Sequence, residues 1–453
     1  MSGLGVIVLA AGMGTRMKSR LPKVLHRVAG LPMVTHVCNA ARQAGVTDVV
    51  VVVGHGRERV SAALAQDVRT ADQVPQLGSA DAVAKALPLI NTSSVLILNG
   101  DLPLVRPETI TALLEAHASA GAQVSVATIE AADPTGYGRI LRDSAGNVLA
   151  IREESDASAE ERRITEVNGG AYVMDLAWLR DTLPSLPKSA KGEFYLTDAI
   201  AAASKAGLSI ATSSSTEAEM MGINNRVQLA AAEAVMRQRI REAHMLAGVT
   251  IIDPATTYID AGVSIGQDTV VHPNTSIQGQ TAIGEDCEIG PGAYLLNAVL
   301  GDRCRVFSSV IENSRLGSGV GMGPWCRVRG GAVLDDDVDM GNFAEIKKST
   351  VGRGTKMHHF SYMGDAIVGE RVNIGAGMIT CNYDGVHKNT TVIGDNSFIG
   401  SDSMLVAPLK IGKDAATGAG AVVTKDVPDG MLAVGVPARN LPRNKPKPAH
   451  EGQ

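Results

Sequence analysis

A two-domain protein is the fold class this sequence predicts, with an α/β half built on a parallel sheet and a second half wound into a parallel β-helix. Three observations carry that prediction. At 453 residues the chain is too long for one ordinary core. Its first half alternates continuous Val/Ile/Leu runs with Ala-rich helical stretches. Its second half repeats an apolar residue at every sixth position, a period belonging to neither an amphipathic helix nor a twisted strand but to hexapeptide coils.

Taken in order, the β-branched runs at residues 5–9, 49–53, 95–98 and 124–128 read as strands. Runs without alternation are buried on both faces, so a mainly parallel sheet covered by helices follows. Residues 33–44 and 80–87 are among the covering helices. Residues 224–246 contain neither Gly nor Pro and predict a rigid helical connector. The hexads then run from about Ile252 to Val434, and Ile265, Val271, Ile277, Ile283, Ile289 and Leu295 show the period clearly. Each coil buries its apolar residue only against the next coil, so the unit is stable only as an array. The step shortens to five between Leu295 and Leu300, Ile346 and Val351, and Met363 and Val368. Between Ile374 and Ile393 the register gives way to a long segment, MITCNYDGVHKNTT. A regular solenoid does not need such a loop, which points to function. The expected boundaries are 1–225 for the α/β domain, 226–247 for the helical linker, 248–437 for the β-helix and 438–453 for a disordered tail.

Composition narrows the class. A net charge of −5 with 45% hydrophobic residues fits a soluble protein without general affinity for nucleic acid. The cysteines, Cys38, Cys287, Cys304, Cys326 and Cys381, are odd in number and form no C-x-x-C pair. That argues against a zinc site and a disulfide framework and favours a reducing compartment. The apolar start lacks a basic leader and ends in a glycine loop rather than a cleavage site. No stretch is long and apolar enough to span a membrane. A cytoplasmic location without membrane insertion is expected.

The first strand runs directly into Leu9-Ala10-Ala11-Gly12-Met13-Gly14-Thr15-Arg16-Met17, followed by Pro22-Lys23. A glycine-rich strand-to-helix turn exposes backbone N–H groups that cradle phosphates, with the field of the helix N-terminus behind them. Arg16 and Lys23 supply full charges for a triphosphate. Asp101 ends another buried strand as Asn99-Gly100-Asp101. Mg²⁺ at phosphate sites takes only one or two protein ligands, so one carboxylate and an Asn224 carbonyl suffice.

The combination resembles the sugar-nucleotide pyrophosphorylase family, which joins a nucleoside triphosphate to a sugar 1-phosphate. The segment from Gln73 through Gln76 and Gly78 to Ser79 looks like that family's uracil-reading loop, with Gly78 letting the backbone approach the base. The resemblance implies UTP contacts from Leu9, Ala10, Ala11, Gly12, Gly14, Thr15, Arg16 and Lys23, the last two also catalytic. It also implies sugar-phosphate contacts from Asn99, Gly100, Gly138, Glu153, Asn168 and Asn224, and Mg²⁺ on Asp101 and Asn224.

Hexapeptide β-helices are mostly acyltransferases that use coenzyme A, though some only assemble chains. Residues 351–384 carry the deciding chemistry, including His358-His359-Phe360-Ser361-Tyr362 and Asn382-Tyr383-Asp384-Gly385. They closely resemble the bifunctional N-acetylglucosamine-1-phosphate uridyltransferase/glucosamine-1-phosphate acetyltransferase family. The resemblance covers nearly the whole chain. It implies a Rossmann-like nucleotidyltransferase domain, a left-handed parallel β-helix and a homotrimer. His359 matches the catalytic base and Glu345 the carboxylate that orients it. Arg329, Lys347, Tyr362 and Asn373 match sugar-phosphate residues; Ala376, Asn382, Tyr383, Ser401 and Ala419 match acetyl-CoA positions. The chemistry needs such groups. An amine attacking a thioester must lose a proton to a base, imidazole titrates in the right range, and the oxyanion needs a donor such as the Tyr383 N–H. Strand alternation turns His358 and His359 to opposite faces, leaving one to serve. Gly435 stands where some members carry a basic residue near the coenzyme A phosphates, with Arg439 the candidate substitute. The implied substrates are UTP, glucosamine 1-phosphate, N-acetylglucosamine 1-phosphate and acetyl-CoA, in cell-wall precursor supply. The rival reading is a single-activity pyrophosphorylase whose β-helix is an assembly module.

Overall fold

The computed structural model describes residues 3–189 and 192–442 and divides into two compact units, Met1–Met236 and Arg237–Gln453. The first is built on strands β1 (Leu4–Leu9), β2 (Asp48–Val53), β3 (Arg69–Asp72), β4 (Ser94–Asn99) and β5 (Val124–Glu130). A hairpin follows, β6 (Arg139–Arg142) and β7 (Val148–Arg152), then β8 (Glu166–Asp175) and β9 (Ile210–Ser215). The main sheet runs β9-β5-β8-β4-β1-β2-β3. Successive residues of β1 enter different cores: Val6 and Val8 pack in one cluster and Ile7 in the other. Burial on both faces is why the run does not alternate.

The sheet departs from all-parallel pairing at one place. β8 lies antiparallel to both β4 and β5. Only the β6–β7 hairpin and short turns separate β5 from β8, and without a crossover helix the chain returns antiparallel. The connector helix spans Arg226–Leu246. Asn225 caps it, its Oδ1 accepting from the N–H groups of Val227 at 3.0 Å and Gln228 at 2.9 Å. That leaves Asn224 outside the helix, where it lines a cavity described below.

In the second unit every third strand pairs, giving three sheets of 12, 10 and 9 strands that form the faces of a left-handed β-helix. The first face carries Val271 paired with Ile289, the second Ile277 with Leu295, the third Ile265 with Ile283, so one coil is three hexads. Fixing the backbone of six residues costs about 1–2 kcal/mol each, whereas one buried aliphatic side chain returns about 1.5–3 kcal/mol. A single hexad therefore cannot hold itself. Stacking supplies the missing ladder hydrogen bonds and packing, and Val271, Ile277, Ile289 and Leu295 are fully buried in one continuous core. The five-residue steps are absorbed at corners, since Ile283 still pairs with Leu300 and Leu334 with Val351.

Residues 438–442 do not belong to a tail. Ala438–Pro442 pairs antiparallel with Met431–Gly435, so the Pro/Lys composition overshoots the boundary by one strand; residues 443–453 lie outside the described residues. Among the described residues no helix is long and apolar enough to cross a membrane.

Candidate active sites

The first site lies at the C-terminal ends of β1 and β4. Leu9 pairs with Asn99, which sets the loop after β1 beside Asn99-Gly100-Asp101. A cavity of about 630 Å³ is lined by Leu9, Ala10, Ala11, Gly12, Gly14, Thr15, Lys23, Gln73, Gln76, Gly78, Ser79 and Asp101. The residues expected around UTP thus converge, except Arg16, which lines an adjoining cavity of about 300 Å³.

The expected helix N-terminus behind the phosphate loop is not there. Thr15–Met17 and Lys23–Leu25 are single 3-10 turns, too short for an aligned dipole. Without that helix, the positive groups this loop offers are its own N–H groups and the side chains of Arg16 and Lys23. Gly14 has φ +62, and a Cβ there would strike the Lys23 side chain, so glycine lets Lys23 lie against the loop. Gln76 donates to the Ala11 carbonyl. Gln73 is buried and donates to Gly78 O and to Asp81 Oδ2, each at 2.8 Å. Both amides therefore shape the loop of residues 73–79. Gly78 has φ +108, and a Cβ would meet the backbone of Phe194. The close neighbour that demands glycine is thus the protein's own backbone, in the irregular segment around Phe194.

The smaller cavity gathers Asn99, Asp101, Gly138, Glu153, Asn168 and Asn224. Gly100 lies beneath, buried, with its N–H donated to Leu9 O at 2.9 Å. Sequence reasoning missed the residues that hold this set. Thr197 Oγ1 donates to Glu153 Oε1 at 2.9 Å. Asn168 sits at a register shift between β8 and β5 and donates through Nδ2 to the Tyr172 hydroxyl at 2.7 Å. Burial pushes that hydroxyl's pKa well up and keeps it neutral. The only sequence signal for either was a polar residue inside an apolar run. Asp101 and Asn224 are bridged by Lys23, whose Nζ bonds the Asp101 carboxylate and, at 2.9 Å, Asn224 Oδ1. A cation position within reach of two hard oxygens is therefore present, and the donor set fits Mg²⁺.

The second site is spread around the β-helix. A cavity of about 800 Å³ on the first face is lined by His358, His359, Asn373, Ala376, Ser401 and Ala419, among others. The expected base and three of the expected acetyl-CoA positions meet there. His358 and His359 lie in the corner between strands Lys356–Met357 and Ser361–Gly364, and both are exposed. Strand alternation therefore does not choose between them, contrary to expectation. The carboxylates also pair differently from the resemblance. Glu345 accepts from Arg329 at 3.0 Å, and the imidazole with a carboxylate partner is His358, whose Nε2 lies 2.8 Å from Asp339 Oδ2. Register sets Arg329 opposite Lys347 and Glu345 opposite Arg327, so Arg329 reaches Glu345 diagonally across the second face, with Tyr362 level with Glu345 on the next strand.

Asn382 and Tyr383 stand at the other edge of that face, on the loop after Ile379–Cys381. Asn382 is buried and donates to Asp365 at 2.5 Å. The loop is a small hairpin closed by a Tyr383–Lys388 bridge and by Asp384, which accepts from the N–H groups of Val386 and His387 at 2.8 and 2.7 Å. It delivers a residue that sequence reading passed over. The Lys388 ammonium adjoins Lys347 and, with Arg329, holds the Lys347 pKa below the usual lysine range. A like charge beside an ammonium disfavours its protonated form. All five cysteines are free.

Comparison with known proteins agrees with this division. Residues 6–167 match the profile of a MobA-like NTP transferase domain, residues 247–342 that of a GMPPB C-terminal domain, and residues 390–425 that of the bacterial transferase hexapeptide with six repeats. Proteins called bifunctional protein GlmU match over almost the whole length. That of Caldanaerobacter subterraneus subsp. tengcongensis is 49% identical over 449 residues, covering 98% of this chain and 97% of the relative. That of Pelobacter propionicus is 49% identical over 441 residues, covering 96% of each. That of Geobacillus thermodenitrificans is 48% identical over 433 residues, covering 95% and 94%. With two chemically distinct sites in two units and this likeness from end to end, the chain belongs to the family of bifunctional GlmU proteins.

Proposed function

We propose that this chain is a cytoplasmic enzyme that makes UDP-N-acetylglucosamine in two steps. The β-helix transfers the acetyl group of acetyl-CoA to the amine of glucosamine 1-phosphate, and the α/β unit then joins the product to UTP with release of pyrophosphate. The observation that carries this reading is the convergence of two independent residue sets, one around the β1 loop and one on the β-helix.

In the uridyl transfer, Arg16, Lys23 and the loop N–H groups hold the triphosphate. Glu153, braced by Thr197, and Asn168, braced by Tyr172, hold the sugar hydroxyls. Asp101 and Asn224 would hold Mg²⁺, which would supply positive charge for the phosphates. The sugar phosphate, so oriented, attacks the α-phosphorus of UTP. In the acetyl transfer, Arg329, Lys347 and Lys388 hold the 1-phosphate, Tyr362 and Asn373 position the sugar, and His359 Nε2 or Nδ1 takes the proton from the attacking amine. Incubating the protein with glucosamine 1-phosphate, acetyl-CoA, UTP and Mg²⁺ should give a product with the mass of UDP-N-acetylglucosamine. Consumption of UTP only when N-acetylglucosamine 1-phosphate is supplied would reject the acetyl transfer.

The same reading makes the acetyltransferase site a shared one, in a homotrimer. What supports this is the separation of the two half-sites. His359, Ala376, Ser401 and Ala419 gather on the first face and its corner, while Lys347, Asn382 and Lys388 stand toward the far edge of the second. A strand of about three residues, roughly 10 Å, lies between them. Two chains side by side bring one half to the other, and closed cyclic symmetry repeats the cleft. Mixing His359→Ala chains with chains lacking residues 383–389 should regenerate intact sites and restore part of the acetyl transfer. A fully active monomer by light scattering, or no recovery after verified subunit exchange, would reject the shared site.

A further inference from the structure

We propose that Lys23 is a resident counter-cation that keeps divalent metal off Asp101 and Asn224 until nucleotide arrives, so that metal and nucleotide enter the uridyltransferase site together. The proposal rests on the reading of Asp101 and Asn224 as the metal ligands. Its ground is the contact set of one ammonium group. Lys23 Nζ bonds the Asp101 carboxylate and, at 2.9 Å, the Asn224 side-chain oxygen. Arg16 donates to that same Asn224 oxygen at 2.8 Å. The Lys23 and Asp101 side chains are 16% and 17% exposed, so water screens the pair little.

A Mg²⁺ ion binds oxygen at about 2.0–2.1 Å. It cannot take the Asp101 and Asn224 oxygens while an ammonium occupies hydrogen-bonding distance from both, because the two cations then repel at contact range. Lys23 must move first, and it needs an anion to move to. The cavity beside it provides that setting. Gly14 lets Lys23 lie directly against the phosphate loop, and Lys23, Gly12, Gly14 and Thr15 line one cavity. A triphosphate placed there offers the ammonium several anionic oxygens and carries its own metal. Lys23 then exchanges one carboxylate for phosphate, and the vacated oxygens complete the coordination of the incoming ion.

The arrangement also solves an electrostatic problem of the free enzyme. A bare Asp101 at the cavity floor would repel a polyanion. With Lys23 neutralising it and Arg16 alongside, the immediate surroundings of Asp101 and Asn224 are not negative without any metal, while Glu153 and Glu193 line the walls farther round the two cavities. Linkage makes the effect reciprocal: whatever frees the carboxylate raises metal affinity, and bound metal raises affinity for nucleotide by the same factor.

The test uses the full chain and Mn²⁺ alone, read as the loss of the free-ion EPR signal on titration. Wild type should bind Mn²⁺ weakly. Lys23→Met and, as a second neutral variant, Lys23→Gln should each bind it about 5–150-fold more tightly, the usual span of coupled sites. Lys23→Arg, which keeps a cation on Asp101, should resemble wild type. Adding Asp101→Asn to Lys23→Met should remove the gained site. Wild type and both neutral variants binding Mn²⁺ equally would overturn the proposal while leaving the metal site standing. A gained site that survives Asp101→Asn would instead overturn the assignment of Asp101 as a ligand.

Discussion

His359→Ala should lower acetyl transfer by roughly 10²–10⁴, the usual worth of a positioned general base, while N-acetylglucosamine 1-phosphate and UTP still react at the wild-type rate. The imidazole lines the first-face cavity with Ala376, Ser401 and Ala419, the residues proposed to take acetyl-CoA. Glu345 is engaged with Arg329, so truncating His359 leaves that ion pair intact and tests the imidazole itself. His358→Ala is the necessary companion. Its ring is already hydrogen-bonded to Asp339, which ties it to the corner of the β-helix, and its loss should cost less than tenfold if it serves only there. Both rates are measured by release of free thiol from acetyl-CoA. Near wild-type thiol release from His359→Ala, with a large loss in His358→Ala, would transfer the role of base to His358.

Asp101→Asn should reduce uridyl transfer by about 10² or more, the scale of removing one preorganised charge from a phosphoryl site, and leave acetyl transfer unchanged. The amide keeps the shape of the carboxylate and removes its charge, so the loss reports on the metal and on Lys23 rather than on packing. Asp101 sits after β4, beside the strand that opens the phosphate loop, whereas the acetyl-transfer residues all belong to the second unit. A chelator should reproduce the same split, stopping pyrophosphate release and sparing thiol release. Equal loss of both activities on chelation would rule out a metal site confined to the α/β unit.

The hexads were legible because a buried aliphatic at every sixth position has one stable arrangement, coil on coil, and each coil repeats the constraint. The strands of the first unit were legible for a related reason: Val6, Ile7 and Val8 are all buried, but in opposite cores, so the sequence carries no alternation. Less legible was the antiparallel β8, since a missing crossover helix leaves no mark in the strand's own composition. The strand Ala438–Pro442 was also hidden, because Pro and charged residues tolerate an outermost strand with one free edge.

By itself the sequence determined the two-unit plan, the glycine loop after β1 and the residue types proposed for each chemistry, because these depend on local period and on functional groups at fixed spacing. Tertiary structure alone decided which groups meet. Lys23 reaches Asp101 and Asn224 from far along the chain. Thr197 braces Glu153, Glu345 turns to Arg329, and Lys388 comes beside Lys347. Each of these contacts joins residues from different strands, coils or loops. Stacking register and loop closure set such distances, and neither is encoded in the spacing of any single motif.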